Sequence, residues 1–271
     1  MKISGNSYVS NRLSYLMVDL SNKTKTPHLG SCLSISHILT SLYFDVLNQP
    51  DLTGNHPERD RFFLSKGHAS PAHYLALALR GYFPLEEVFK LSQNGSIYEE
   101  HCGVDAPNGI EFINGSLGHA LGVASGVAIA NKLNGINAHN YVLMGDGESN
   151  EGTVWEAAIF AVAQKLNRLT VIIDNNNWQA TDRSEVLFGG AKLRDIWESF
   201  GWHAIDIDGH DYDVLSSELN RAKESDRPTA IIAHTIKGKG ISFMEDDNNW
   251  HYRIPTEEEV QQAKKELLPN A

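Results

Sequence analysis

The chain predicts an α/β fold, a doubly wound, mostly parallel sheet with helices on both faces. Three observations predict it. Short apolar runs alternate with helical patterns along most of the 271 residues, as β–α–β units do. One run, Tyr141 to Met144, ends in Gly145-Asp146-Gly147, and ligands of open α/β sheets bind at that carboxyl edge. The composition, 41% hydrophobic and 21% charged, is that of a globular protein with one large core.

Tyr8 to Leu20 and Ser34 to Leu47 carry apolar residues at helical spacing. Arg61 to Leu64 reads as a short strand before the turn Ser65-Lys66-Gly67-His68. Pro71 to Arg80 and Pro84 to Leu91 read as helices with proline near the start, where a missing N–H is harmless. Ser92 to Ile113 is irregular, and a loop that long in a compact fold is often functional. Leu117 to Leu133 is a helix rich in glycine and alanine. Each interior glycine costs about 1 kcal/mol against alanine, so close approach of another backbone or a ligand is expected there. After Gly147 come a helix and the strand Leu169 to Asp174. A helix near Lys192 to Phe200, a strand His203 to Asp206, a helix Tyr212 to Ala222 and a strand Thr229 to His234 follow. Thr256 with Glu259 three residues on is a capping box opening the last helix, to Leu267. No repeat, low-complexity tract or long linker divides the sequence, so residues 1–271 are expected to form one domain.

A net charge of -11 argues against a nucleic-acid partner. The amino terminus has no apolar signal core and no run of eighteen apolar residues exists, so neither export nor a membrane partner is expected. Cys32 and Cys102 give no disulfide framework, and a cytoplasmic location is the expectation. Cys102 reads as a buried thiol despite its neighbour His101.

The chemistry centres on Tyr141 to Asp182. Asp146 is a hard oxygen ligand for magnesium or calcium, and its flanking glycines let backbone approach a phosphate. The next strand delivers Asn175, Asn176 and Asn177 to the same edge. An acid after one strand and an amide after the next can share one cation on a diphosphate. Asn175 and Asn177 read as turn residues.

This segment, GDG followed some thirty residues later by an asparagine pair, resembles the thiamine-diphosphate signature. GDGESNEGTVWEAAIFAVAQKL and GWHAIDIDGHD are similar to the transketolase family, in its amino-terminal half. The resemblance implies thiamine diphosphate and Mg2+, with Ca2+ or Mn2+ as substitutes. It implies a metal held by Asp146, Asn176 and the Trp178 carbonyl, with the Gly147 N–H on a phosphate oxygen. His28, in Thr26-Pro27-His28-Leu29-Gly30-Ser31, His101 and His251 match the catalytic histidines that meet substrate. Ser31, and His68 in SKGHAS, match cofactor contacts. Gly115, Ser116 and Leu117 match the backbone facing the pyrimidine ring, with His119 replacing a glutamine. Glu151 matches a glutamate at the dimer interface, and a macrodipole role at its helix start serves as well. His234 stands where many members have a cofactor-facing lysine, while Lys237 and Lys239 read as exposed. Glu100-His101-Cys102 departs from the family's Gly-His-Pro.

The family's second domain supplies the glutamate beside the cofactor pyrimidine, and this sequence ends at Ala271 before it. The resemblance therefore implies the diphosphate-binding subunit of a split transketolase. A carboxy-terminal partner subunit would complete it, with two copies of each chain. It would transfer a two-carbon ketol unit from a ketose (phosphate) donor to an aldose acceptor. Two alternatives stand beside this. One is a transketolase-like subunit that takes an unusual sugar or acyloin, the other a non-catalytic thiamine diphosphate-binding homologue. A nicotinamide enzyme is disfavoured, because no GxGxxG follows the first strand.

Overall fold

The computed structural model describes residues 5–180, 182–187, 189 and 191–269. Its framework is a five-stranded, wholly parallel sheet of β1 (Arg61–Leu64), β2 (Asn140–Gly145), β3 (Leu169–Asn175), β4 (His203–Asp208) and β5 (Thr229–His234), in the order β1-β2-β3-β5-β4. Consecutive strand residues serve opposite faces. Val142, Val171, Ile173 and Ile232 enter one apolar cluster, and Tyr141, Leu143, Ile172 and Ile231 the other. Both faces are covered, which is why the middles of the central strands are apolar on both sides.

Three helices carry the first cluster, α6 (Ala120–Leu133), α7 (Gly152–Ala163) and α9 (Leu193–Ser199). The second cluster packs beneath α1 (Gly5–Thr24), α2 (Leu29–Leu33), α3 (Ser36–Ser41), α4 (Ser70–Arg80), α10 (Tyr212–Ala222) and α11 (Glu257–Leu267). Two single-turn helices, α5 (Leu85–Val88) and α8 (Ser184–Leu187), complete the α-helices of the described residues. The chain steps from β1 to β2 to β3, then crosses to β4 and returns to β5 between them. Strand order therefore reverses at β3 and β5, the position where such sheets open a binding crevice.

The expected capping box is present, with Thr256 accepting from the Glu259 N–H and Glu259 from the Thr256 N–H. Three expected helices are shorter. The stretch Ser34 to Leu47 is α3 followed by a π-helical turn, Leu42–Val46, which keeps Leu42, Tyr43 and Val46 buried. Pro84 to Leu91 yields only α5, and the path turns at Ser92, whose φ is 59°. The helix expected from Leu117 starts at Ala120, since Gly118 is left-handed (φ 81°) and its N–H is taken by Glu148. Among the described residues nothing between α5 and α6 is helix or strand, as expected of the long loop.

Candidate active site

The register sets the site. Gly145 pairs with Asp174 and Asn175 with His234, so the turns after β2, β3 and β5 open on one edge. A cavity of about 240 Å³ lies there, walled by Ser31, Lys66, His68, Asp146, Asn176 and His251. Leu117, Gly147, Glu151 and Trp178 also line it. These walls come from separate loops. Gly67 lets two of them meet, because a Cβ there would lie 2.6 Å from the Gly115 backbone nitrogen.

Asp146 is 1% exposed. Its Oδ1 accepts the Gly147 N–H at 2.9 Å, while Oδ2 is buried with no aligned hydrogen-bond partner among the described residues, the Ser184 hydroxyl standing near but misaligned. Burial, and then the Asp174 carboxylate, push Asp146 up to about 6. The Asn176 Oδ1 accepts the Trp178 N–H at 3.0 Å, and its Nδ2 donates to Asp174 Oδ2 at 2.8 Å. An orphaned carboxylate oxygen costs free energy that a cation offsets, and an acid, an amide oxygen and a carbonyl are a hard donor set that fits magnesium. Among the described residues no three His, Cys, Asp or Glu side chains cluster to hold a metal by themselves. The donor set fits an ion that also takes ligands from a phosphate.

Asp174 and Lys66 form the electrostatic centre, and sequence reading missed both. Asp174 is wholly buried and accepts from Lys66 Nζ, Ser34 Oγ (2.7 Å), Thr235 Oγ1 and Asn176 Nδ2. Its carboxyl is lowered, since the Lys66 charge and these donors outweigh burial. Lys66, 1% exposed, also donates to the Ser31 carbonyl at 3.0 Å. The only sequence signal was an acid ending an apolar strand. Glu148 was missed as well. Its carboxylate accepts from Ser65 Oγ, the Gly118 N–H (2.7 Å) and the Gly145 N–H (3.0 Å), tying three site loops together.

Four histidines converge. The His28 ring centroid lies 5.4 Å from His68, 6.2 Å from His101 and 4.8 Å from His251. His68 and His251 are 5.8 Å apart. Burial lowers His28 and His68, and pushes His251 down to about 3. Neutral imidazoles can both donate and accept hydrogen bonds, which suits sugar hydroxyls.

Glu151 and Lys237 line the same cavity, and other matched residues lie outside it. Gly115 and Ser116 are exposed, and a Cβ at Gly115 would lie 3.6 Å from the His101 ring. Glu151 is exposed at the N-cap of α7 and makes no side-chain cap bond there. His234 faces a neighbouring cleft, where it bonds Asp206 at 2.7 Å and Asn175 at 3.1 Å. Cys102 is a buried thiol raised by burial, within 3.3 Å of Ser70 Oγ. Lys237 corrects the expectation of exposure. It is 2% exposed, donates to Asn248 Oδ1 at 2.7 Å and is pushed down to about 8 by burial. Its stem packs against Gly30, so it turned inward where the local pattern of lysines and glycines pointed out.

Residues 6–270 match the family described as transketolase, thiamine diphosphate binding domain. The chain belongs to that family. It is 39% identical over 259 residues to the 6-deoxy-6-sulfo-D-fructose transketolase subunit SqwG of Clostridium sp. (strain MSTE9), covering 95% of this chain and 94% of that one. It is 37% identical to an apulose-4-phosphate transketolase subunit from Phocaeicola vulgatus, covering 93% and 89%. The transketolase structure from Campylobacter jejuni superposes with a TM-score of 0.91 at 30% identity, covering all of this chain and 44% of that enzyme. The chain thus spans under half the length of that solved transketolase. The transketolase fold is the doubly wound α/β sheet expected from the sequence, and the described part contains no helix long and apolar enough to cross a membrane.

Proposed function

We propose that this chain is the diphosphate-binding subunit of a split, thiamine diphosphate-dependent transketolase, residues 1–271 forming one domain. The observation that carries the reading is the unpartnered Asp146 oxygen beside Asn176, in a cavity shared with His68 and His251. Asp146, Asn176 and the Trp178 carbonyl would hold Mg2+, and the Gly147 N–H would donate to a diphosphate oxygen. Ser31, His68 and the 115–117 backbone would contact the cofactor. Thiamine diphosphate, when bound, supplies the carbanion chemistry that breaks the ketose C2–C3 bond. His28, His101 and His251 bind the sugar hydroxyls and accept or return protons at their ring nitrogens. His234 would reach the cofactor by giving up its bonds to Asp206 and Asn175.

A carboxy-terminal subunit completes the site, two copies of each chain assembling. Relatives named as subunits are matched over most of their own length, which supports this arrangement. So does the open face of α6 and α7, where Gly122 and Gly126 meet no atom within 4 Å and Ile159 is 54% exposed. The proposed location is the cytoplasm, in keeping with two buried free thiols.

The test is ketol transfer by the chain alone and with its co-expressed partner. Full activity of the chain alone overturns the split-subunit reading. Absence of magnesium-dependent cofactor binding by the pair would falsify the enzyme reading. A second reading, an unusual sugar as substrate, is favoured by the names of the two subunit relatives. Donor and acceptor profiling decides it, and efficient turnover of ordinary pentose phosphates argues against specialisation.

A further inference from the structure

We propose that Glu100 is a specificity-determining residue of the substrate channel, its carboxylate taking a sugar hydroxyl beside His28 and turning away substrates anionic at that point. This deepens, and rests on, the ketol-transfer reading. Glu100 stands where the family pattern has glycine, so no role carried over from the family covers it. Its Oε1 lies 2.9 Å from His28 Nδ1. That nitrogen is buried and has no aligned hydrogen-bond partner among the described residues, so the carboxylate flanks the ring off its N–H axis.

The groups facing His28 are the rings of His68, His101, His251 and Tyr252, the Glu100 carboxylate and, farther off, the Lys237 amine. Glu100 is the one carboxylate among them. The two imidazoles nearest His28 are held neutral by burial and leave its charge standing. No lysine or arginine of the described residues pairs with it, and its side chain is 34% exposed. Its neighbour Glu99 packs instead against Gly103.

An uncompensated carboxylate at a channel wall has two consequences. It accepts hydroxyl hydrogens in charge-assisted bonds. It also repels a carboxylate, phosphate or sulfonate brought to the same place, and such a repulsive element is an ordinary source of specificity. The anionic group of a substrate must then sit at the far end of the sugar. Its charge also favours the His28 tautomer with the proton on Nδ1, leaving Nε2 as an acceptor.

The experiment uses the assembled holoenzyme with D-xylulose as a neutral donor, which releases glyceraldehyde, and two acceptors of equal length, glycolaldehyde and glyoxylate. Wild type is expected to favour glycolaldehyde in kcat/KM. E100Q, which keeps shape and loses charge, is expected to narrow that preference about tenfold. E100G, the family's residue, is expected to narrow it further and to raise the glycolaldehyde KM more than it lowers kcat. Cofactor binding measured by calorimetry should be unchanged in both variants, which separates a channel role from a folding defect. An unchanged acceptor ratio in E100Q and E100G, with wild type active, overturns the Glu100 proposal alone. No ketol transfer by the wild-type assembly overturns it together with the functional reading.

Discussion

The main-chain N–H of His28 donates to the carbonyl of His251 at 2.8 Å. His28 is left-handed there, with φ 67°, and the bond ties the loop before α2 to a short 3-10 turn near the other end of the chain. The two rings lie 4.8 Å apart as a result. Because the tie is made by backbone, it survives truncation of either side chain.

That relationship gives the first prediction. His28→Ala and His251→Ala should each raise the KM for the ketose about tenfold or more, the loss expected for a removed polar contact. Global stability should change by about 1 kcal/mol, since the His28 Nδ1 has no aligned partner among the described residues and the His251 ring has one contact, Nδ1 with Lys237 Nζ at 3.3 Å. Steady-state kinetics with urea unfolding checks this. An unaltered KM in both variants would remove these histidines from the channel.

Asp146 predicts a trade between stability and binding. Its carboxyl, pushed up to about 6 by burial and then by the Asp174 charge, carries a penalty of up to about 3 kcal/mol at pH 7.5 without a cation. Asp146→Asn should therefore melt at a higher temperature than wild type in the absence of metal, and lose magnesium-dependent cofactor binding. Wild-type affinity should also fall as pH drops below about 6, where the carboxylate takes a proton. Calorimetric titration at pH 7.5 and 5.5 measures both effects, and equal affinities at the two pH values refute the ligand role.

The buried Lys66–Asp174 pair predicts non-additivity. Lys66→Met strands a wholly buried carboxylate and should cost about 3–5 kcal/mol. Adding Asp174→Asn should recover a large part of that loss, because the stranded charge is gone. Urea unfolding of the single and double variants gives the coupling, and strict additivity would show that the two side chains do not meet.

Acid sensitivity follows from buried histidines remote from the cavity. Burial pushes His37, His73 and His139 down to about 3. In the unfolded chain they titrate near pH 6.5. Between these values the unfolded state binds more protons, so their contribution is whole above about pH 6.5 and is lost as pH falls toward 3. At pH 5 each loses about 2 kcal/mol. Asp146, and Glu148 whose carboxyl burial also raises, act in the opposite sense as pH falls, two groups against three. Unfolding at pH 7.5 and 5.0 should show lower stability at 5.0, and a rise would contradict these environments.

Much of the site was legible because its parts are local words. GDG at the end of β2, the SKGHAS turn and the Thr256–Glu259 box each declare themselves within a few residues. Four histidines on separate turns were matched to one site by family resemblance, and the structure places their rings within 6.2 Å of His28. Lys237 was misread because glycine-flanked lysines usually mark surface turns, and its burial depends on Gly30 in a distant helix. His234 was matched by its place in a motif, yet its partner is Asp206 on the neighbouring strand β4.

Sequence by itself determined the layered α/β fold, the strand ends that carry the chemistry and the family of the chain. Periodicity and turn chemistry are short-range, so they can be read in order along the chain. Tertiary structure alone decided that Asp174 meets Lys66, that Asp146 keeps one oxygen unpartnered and that Glu100 flanks His28. Those facts depend on strand register and on which loops share an edge. The energy of a buried charge is set by the neighbours that packing brings to it, wherever they lie in the sequence.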